Sequence, residues 1–197
     1  MAPRRSVPLR VVVNPRSAPL VSNAVLGMLI FLFTEIMLFA GMISAYSIAR
    51  ASSVVGWPPP GQPRLPFEET AVNTAALLLS GVAVFVAQRR FGRDRKRAAA
   101  PLAVGLALGA FFVFFQGVEW VRLIGEGLTL TSSTHGAFFY LIVGVHGLHA
   151  LAALTALGWA LLRLRRSVLP PSVFSATALF WYFVVGVWPI IYLRVYP

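Results

Sequence analysis

LGMLIFLFTEIMLFAGMISAYSIAR (Leu26 to Arg50) carries one charge before its terminal arginine, Glu35. About 20 apolar residues are enough to cross a bilayer as a helix, so this stretch reads as a membrane span with a carboxyl group near its middle. Working outward, the pattern recurs. No charge falls between Glu69 and Arg89, between Arg97 and Glu119, between Glu126 and Arg163, or between Arg166 and Arg194. Spans are expected near 22–48, 70–88, 99–121, 136–162 and 172–193. The fold class is therefore all-α: a polytopic transmembrane bundle of five helices over 21–197, behind a basic tail, 1–20.

The composition agrees. The chain has 197 residues, 58% hydrophobic and only 12% charged, against about 25% charged in a soluble domain. That excludes a disordered chain and most soluble enzymes. The net charge of +11 does not point to a nucleic-acid partner, because the basic residues sit between the apolar runs. Thirteen fall on one side: Arg4, Arg5, Arg10 and Arg16; Arg89, Arg90, Arg93, Arg95, Lys96 and Arg97; Arg163, Arg165 and Arg166. The other side holds four, Arg50, Arg64, Arg122 and Arg194, accompanied by Glu68, Glu69 and Glu126. Basic loops stay cytoplasmic, so the amino terminus is expected inside and the carboxyl terminus outside. The tail has no apolar stretch of its own, unlike a cleaved signal peptide. The absence of cysteine removes disulfides and thiolate ligands. The proline-rich GWPPPGQPRLP (Gly56 to Pro66) is read as an outer loop with Trp57 as an interfacial anchor, and Pro189 as a kink in the last span.

Polar groups at membrane depth mark function or internal pairing. Glu35 has two readings, a protonated acid buried for packing or a proton-responsive site. His135, His146 and His149 share one stripe of the fourth span, His146 and His149 at i, i+3. That spacing suits a metal or haem, but no second ligand set accompanies it, so no metal site and no catalytic residue is assigned. Glu35 and the histidine pair fall at similar depths, which predicts a hydrogen bond from Glu35 to His146 or His149. Gln116 and Glu119, Asn73 and Ser80, and the small-residue pair Gly105 and Gly109 read as packing devices. The phenylalanines Phe111, Phe112, Phe114 and Phe115 read as lipid-facing or core bulk.

Taken in order, these stretches resemble subunit III of haem-copper cytochrome c oxidases. Leu26 to Arg50 is similar to that family's glutamate-bearing helix. WPPPGQPRLPFEETAVNTAALLLSG (Trp57 to Gly81) is similar to its outer loop and the asparagine-threonine start of the next helix. FQGVEW (Phe115 to Trp120) resembles its Gln and Glu helix end, GAFFYLIVGVHGLHAL (Gly136 to Leu151) its G-x-H-G-x-H helix, and FWYFVVGVWPIIYLRVY (Phe180 to Tyr196) its aromatic closing helix. The form is like the bacterial five-helix version. Tyr182 and Val185 stand where the family usually has His and Asp, and His135 where an aromatic hydroxyl is common.

The resemblance implies a non-catalytic subunit III of a respiratory terminal oxidase in a bacterial cytoplasmic membrane. Haem and copper would lie in partner subunits, with none in this chain. It implies packing against catalytic subunit I and the other oxidase subunits, support of proton uptake, and bound phospholipid. Glu35 matches the family's buried glutamate, His146 and His149 its histidine pair, and Asn73, Gln116 and Glu119 its other polar positions. A homologous accessory subunit of a nitric oxide reductase is the close alternative. Haem carriage on His146 and His149, or transport through Glu35, are further classes, the latter weakened by the lack of internal repeats. With only Asp94 among thirteen inner basic residues, the inner face is a poor proton collector. Arg89, Arg90, Arg93, Arg95, Lys96 and Arg97 are instead expected to hold anionic lipid headgroups, each worth about 1 kcal/mol.

Overall fold

The computed structural model of the chain describes residues 21–54 and 56–197. Among them are five helices and no strand: α1 (Asn23–Ala51), α2 (Phe67–Phe91), α3 (Arg95–Gly125), α4 (Thr134–Arg165) and α5 (Pro171–Val195). Each is long and apolar enough to cross a membrane. The basic tail of residues 1–20 lies outside the described residues.

The helices outrun the apolar windows at nearly every end, because their terminal turns are polar. Glu68 and Glu69 open α2, where acids suit the helix dipole, and Arg89 and Arg90 close it. Asp94 caps α3 by accepting from the Lys96 amide at 3.0 Å, so α3 starts four residues before the expected boundary and Pro101 falls inside it. Ser133 caps α4 through the Gly136 amide at 3.0 Å. Just beyond the end of α3, Gly127 turns the chain with a φ of +92° that suits glycine. The Leu128 amide there returns to the Leu123 carbonyl at 2.9 Å, with both leucines buried. α5 runs on through Pro189 to Val195.

α5 is the central post, touching α1, α2 and α4. Its two tryptophans and two tyrosines each carry one polar atom, and all four bond to α2. Trp181 Nε1 donates to Ser80 Oγ (3.0 Å), Tyr182 to Gln88 Oε1 (2.9 Å), Trp188 Nε1 to Thr74 Oγ1 (2.8 Å) and Tyr192 to the Phe67 carbonyl (2.8 Å). As the α5 position rises from 182 to 192 the α2 position falls from 88 to 67, which fixes an antiparallel register. Tyr182 therefore keeps a polar role in the last helix. Val185 packs on Gly81, where an added Cβ would meet its Cγ1 at 3.0 Å.

α2 and α3 form the closest helix pair, and Gly105 and Gly109 make the approach possible. A Cβ at Gly105 would lie 2.8 Å from Val84 Cγ2 and 3.2 Å from the Ser80 carbonyl oxygen. At Gly109 it would lie 2.6 Å from Trp181 Cη2. Ser80 Oγ also donates to the Gly105 carbonyl at 2.9 Å, so one hydroxyl joins α2, α3 and Trp181 of α5.

α1 is the peripheral helix, held by α4 and α5. Its three buried residues, Leu32, Phe39 and Tyr46, recur every seven positions on one narrow seam. Leu26, Ile30, Phe33, Met37 and Ile48 are exposed around the rest of it. Trp57 is half-buried and packs on the bundle from the connection between α1 and α2. Its ring meets Tyr46 and His135 edge-on at 5.5 and 5.2 Å, and Nε1 donates to the Tyr46 hydroxyl at 3.0 Å. Of the phenylalanines in α3, Phe112 is core; Phe111, Phe114 and Phe115 are exposed.

Gly109→Ala should displace the Trp181 indole and destabilise the bundle by about 1–3 kcal/mol, as overpacking does. Gly117→Ala, where nothing stands within 4 Å, is the control. Unfolding in detergent checks the pair: equal stability of the two variants would refute the close-packing role of Gly109.

Candidate functional site

Glu35 of α1 meets His149 of α4 across a helix interface, with Oε2 and Nε2 2.9 Å apart. Glu35 lies on the α1 face beside the buried seam, one turn from Phe39. The other ring nitrogen of His149, Nδ1, is 2.7 Å from the Val145 carbonyl of its own helix. That carbonyl only accepts, so Nδ1 carries a proton. The contact between Nε2 and Oε2 then contains one further proton, giving either a neutral acid and imidazole or a carboxylate and imidazolium. Both forms have the same net charge. Only 13% of the His149 side chain and 15% of the Glu35 side chain is exposed. Phe39, Phe180 and Phe183 surround the imidazole with ring centroids at 5.6, 6.2 and 6.2 Å, which keeps the pair in apolar surroundings.

His146 does not reach Glu35. Three residues earlier on α4 it is turned toward α3 and α5, with its ring 5.0 Å from that of Trp188, and its Nε2 has no hydrogen-bond partner. His135 is also buried, and neither of its ring nitrogens is bonded. The histidine stripe thus separates into three surroundings. Among the described residues no three His, Cys, Asp or Glu side chains gather as a metal-holding group.

Gln116 and Glu119 of α3 converge on Tyr196, just beyond α5. The Tyr196 hydroxyl accepts from Gln116 Nε2 at 3.0 Å and donates to Glu119 Oε1 at 2.9 Å. Burial, then the neighbouring Glu119 carboxyl, push this hydroxyl well above the usual tyrosine pKa, so it stays a donor. The Thr70 hydroxyl of α2 lies 3.0 Å from Glu119 Oε2 and 2.7 Å from the Pro66 carbonyl. Asn73 is one turn along α2 and bonds elsewhere, donating Nδ2–H to the Phe112 carbonyl at 3.1 Å. Thr70 and Tyr196 escape a reading of the sequence, since threonine and tyrosine are ordinary at helix ends.

The basic connection between α2 and α3 is solvent-facing. The Arg89 guanidinium covers Phe85 at 4.9 Å and that of Arg95 covers Phe91 at 5.0 Å, with Arg95 also reaching the Leu169 carbonyl at 3.4 Å. Arg97 pairs with Asp94 at 3.2 Å, both exposed, which adds little stability. The side chains of Arg90, Arg93 and Lys96 are exposed and bond to no other side chain among the described residues.

In a double-mutant cycle, Glu35→Leu and His149→Leu should show a coupling of about 1–3 kcal/mol. Strict additivity of unfolding free energies would show the contact to be idle. Glu35→Gln separates the two proton positions: an amide N–H replaces the acid O–H of the neutral pair but not the charge of the ion pair. A loss well under that of Glu35→Leu, with a protonated-carboxyl infrared band in the parent protein, identifies the neutral form.

Known proteins resemble the chain over most of its length. The family model described as cytochrome c oxidase subunit III matches residues 15–197. The probable cytochrome c oxidase subunit 3 of Nocardia farcinica is 34% identical over 178 residues, covering 86% of this chain and 85% of that protein. The probable subunit 3 of Mycobacterium leprae is 34% identical over 177 residues, with the same coverage. The subunit 3 of Gadus morhua is 35% identical over 179 residues, covering 86% of this chain and 67% of the other. A match that runs through the glutamate helix, the histidine helix and the aromatic closing helix places this five-helix membrane protein in the cytochrome c oxidase subunit III family.

Proposed function

We propose that the chain serves as the non-catalytic subunit III of a bacterial respiratory oxidase, stabilising the catalytic subunit, supporting proton uptake and retaining lipid. The observation that carries this reading is the Glu35–His149 contact. It anchors the peripheral helix α1 to α4 at membrane depth while the rest of the α1 surface stays apolar and open. A helix held by a narrow seam and one buried proton-sharing pair suits a chain whose outer face is completed by another membrane subunit, here catalytic subunit I. In this reading the redox centres belong to the partners, and this chain supplies packing and a proton-holding pair. The names of the relatives favour dioxygen reduction over nitric oxide reduction.

Orientation belongs to the same proposal. With the amino terminus inside, the connections α2–α3 and α4–α5 face the cytoplasm and the Trp57 loop faces out. The exposed cationic groups Arg90, Arg93 and Lys96 then lie at the anionic leaflet.

Affinity purification through this chain from native membranes should recover haem-containing oxidase subunits, while the chain alone shows no Soret band. A stoichiometric haem on the isolated chain would overturn the reading. Replacing Arg90, Arg93 and Lys96 by Gln should lower the anionic lipid retained in native mass spectra, at about 1 kcal/mol for each charge. Unchanged lipid retention would rule out headgroup binding at this loop.

A further inference from the structure

α1 and α5 run in the same direction, since Phe31 meets Phe180, Phe39 meets Phe183 and the Tyr46 hydroxyl reaches the Val195 carbonyl. Between them lie two adjoining hollows of about 670 and 480 Å³ that share Ser47 and Arg194, each within the range of ligand sites. Ile36, Ala40 and Ile43 of α1 and Phe183, Val187 and Ile190 of α5 line the deeper one. Tyr46, Ser47, Arg50 and Trp57 line the shallower one, with Arg194 across from them. The two form one groove, apolar at depth and basic at its mouth.

The groove has the length of one leaflet. Its innermost lining residues, Ile36 and Phe183, stand at the middle of α1 (Asn23–Ala51) and of α5 (Pro171–Val195). From Ile36 to Arg50 the helix rises by roughly 21 Å at 1.5 Å per residue. Half a bilayer with its headgroups measures roughly 20–22 Å. A transmembrane helix of a partner would seat along the whole of α1, whereas this groove stops halfway.

The mouth lacks counter-charge. Arg194 is exposed and Arg50 partly so, and neither forms an ion pair among the described residues. Arg122, at the same end of the bundle, differs in pairing with Glu69 and Glu126. The negative ends of α1 and α5 offset the two guanidinium charges by only about half a unit each. A phosphate between Arg50 and Arg194, continued by an acyl chain toward Ile36, matches both the charge and the depth. We infer that the α1–α5 groove holds one anionic phospholipid, its phosphate between Arg50 and Arg194 and one acyl chain along Phe39 and Phe183. Those two rings also flank His149, so the chain shields the Glu35–His149 pair from that side. Ile30, Met37 and Ile48 of α1 do not line the groove and remain open to a partner subunit. The site rests on the lipid retention proposed above and extends it to the end of the bundle opposite the α2–α3 connection.

The native complex, in nanodiscs containing a phosphatidylglycerol with a diazirine in its acyl chain, tests it by peptide mass spectrometry. Label should concentrate on residues 36–47 and 183–194. Replacing Arg50 and Arg194 by Gln should raise the lipid needed for half-maximal labelling roughly 25-fold, about fivefold for each charge. Replacing Arg90, Arg93 and Lys96 by Gln should leave it unchanged, which separates this site from the α2–α3 connection. Gly186→Leu, at a position where a Cβ meets nothing within 4 Å, fills the groove from α5 and should cut the label about tenfold. Ala40→Leu fills it from α1 and keeps the test decisive where Gly186→Leu fails to assemble. Equal labelling by a diazirine phosphatidylcholine, label spread evenly over the lipid-facing surfaces, or label undiminished in an assembled leucine variant would overturn the assignment. So would label on these peptides in the isolated chain but not in the complex, since another subunit would then cover the groove. Recovery of oxidase subunits in the pull-down reports on the function separately from any of these results.

Discussion

The bundle depends on the aromatic donors of α5. Inside a bilayer no water rewards an exposed N–H or O–H, and association by apolar contact alone is weak, since lipid tails are as apolar as the helices. α5 meets this by carrying its polar atoms on large rings. Trp181, Tyr182, Trp188 and Tyr192 each bring bulk for packing and a single donor for α2. Interhelical bonds of this kind contribute about 0.6 kcal/mol each on average, so four of them define a register more than they supply stability. That register places Trp181 over Gly109 and lets α3 approach α2 at Gly105. It also brings Tyr196 to Gln116 and Glu119. Tyr182 stays within this scheme through Gln88.

α1 is attached on different terms. It joins the post through Phe39 and Tyr46, whose hydroxyl reaches the Val195 carbonyl at 3.3 Å. It joins α4 through Glu35 and His149. A carboxyl group at this depth is stable only when its proton has a defined place, and the Val145 carbonyl provides that by holding the Nδ1 proton of His149. The remaining proton lies between Nε2 and Oε2, and its transfer changes no net charge. A shared proton in a cage of Phe39, Phe180 and Phe183 ties α1 to α4.

Most of the architecture was legible in the chain. The five apolar runs, one of them carrying Glu35, identified five helices, since length and apolarity are the bilayer's own requirements. Their ends were less legible, because capping by Asp94 and Ser133 extends helices into polar residues that hydropathy discards. Glu35 stood out for the same reason the spans did: a lone charge in an apolar run has to be explained. Its pairing with the histidine helix followed from equal depth, yet depth cannot choose between His146 and His149. The contacts of Trp57 with Tyr46 and His135 were not legible, because a loop residue's neighbours depend on how the loop folds back.

By itself the sequence determined the class, the helix number, the uneven distribution of basic residues and the polar groups that needed partners. These are properties of composition along a line, and a bilayer reads them one segment at a time. Only the tertiary structure decided which partners those groups found. His149 bonds Glu35 while His146 is turned toward Trp188, although the two stand three residues apart on one helix. At 100° per residue that step turns a side chain by about 60°, enough to give it a different neighbouring helix. Which helix stands there depends on how all five pack, and no single segment carries that information.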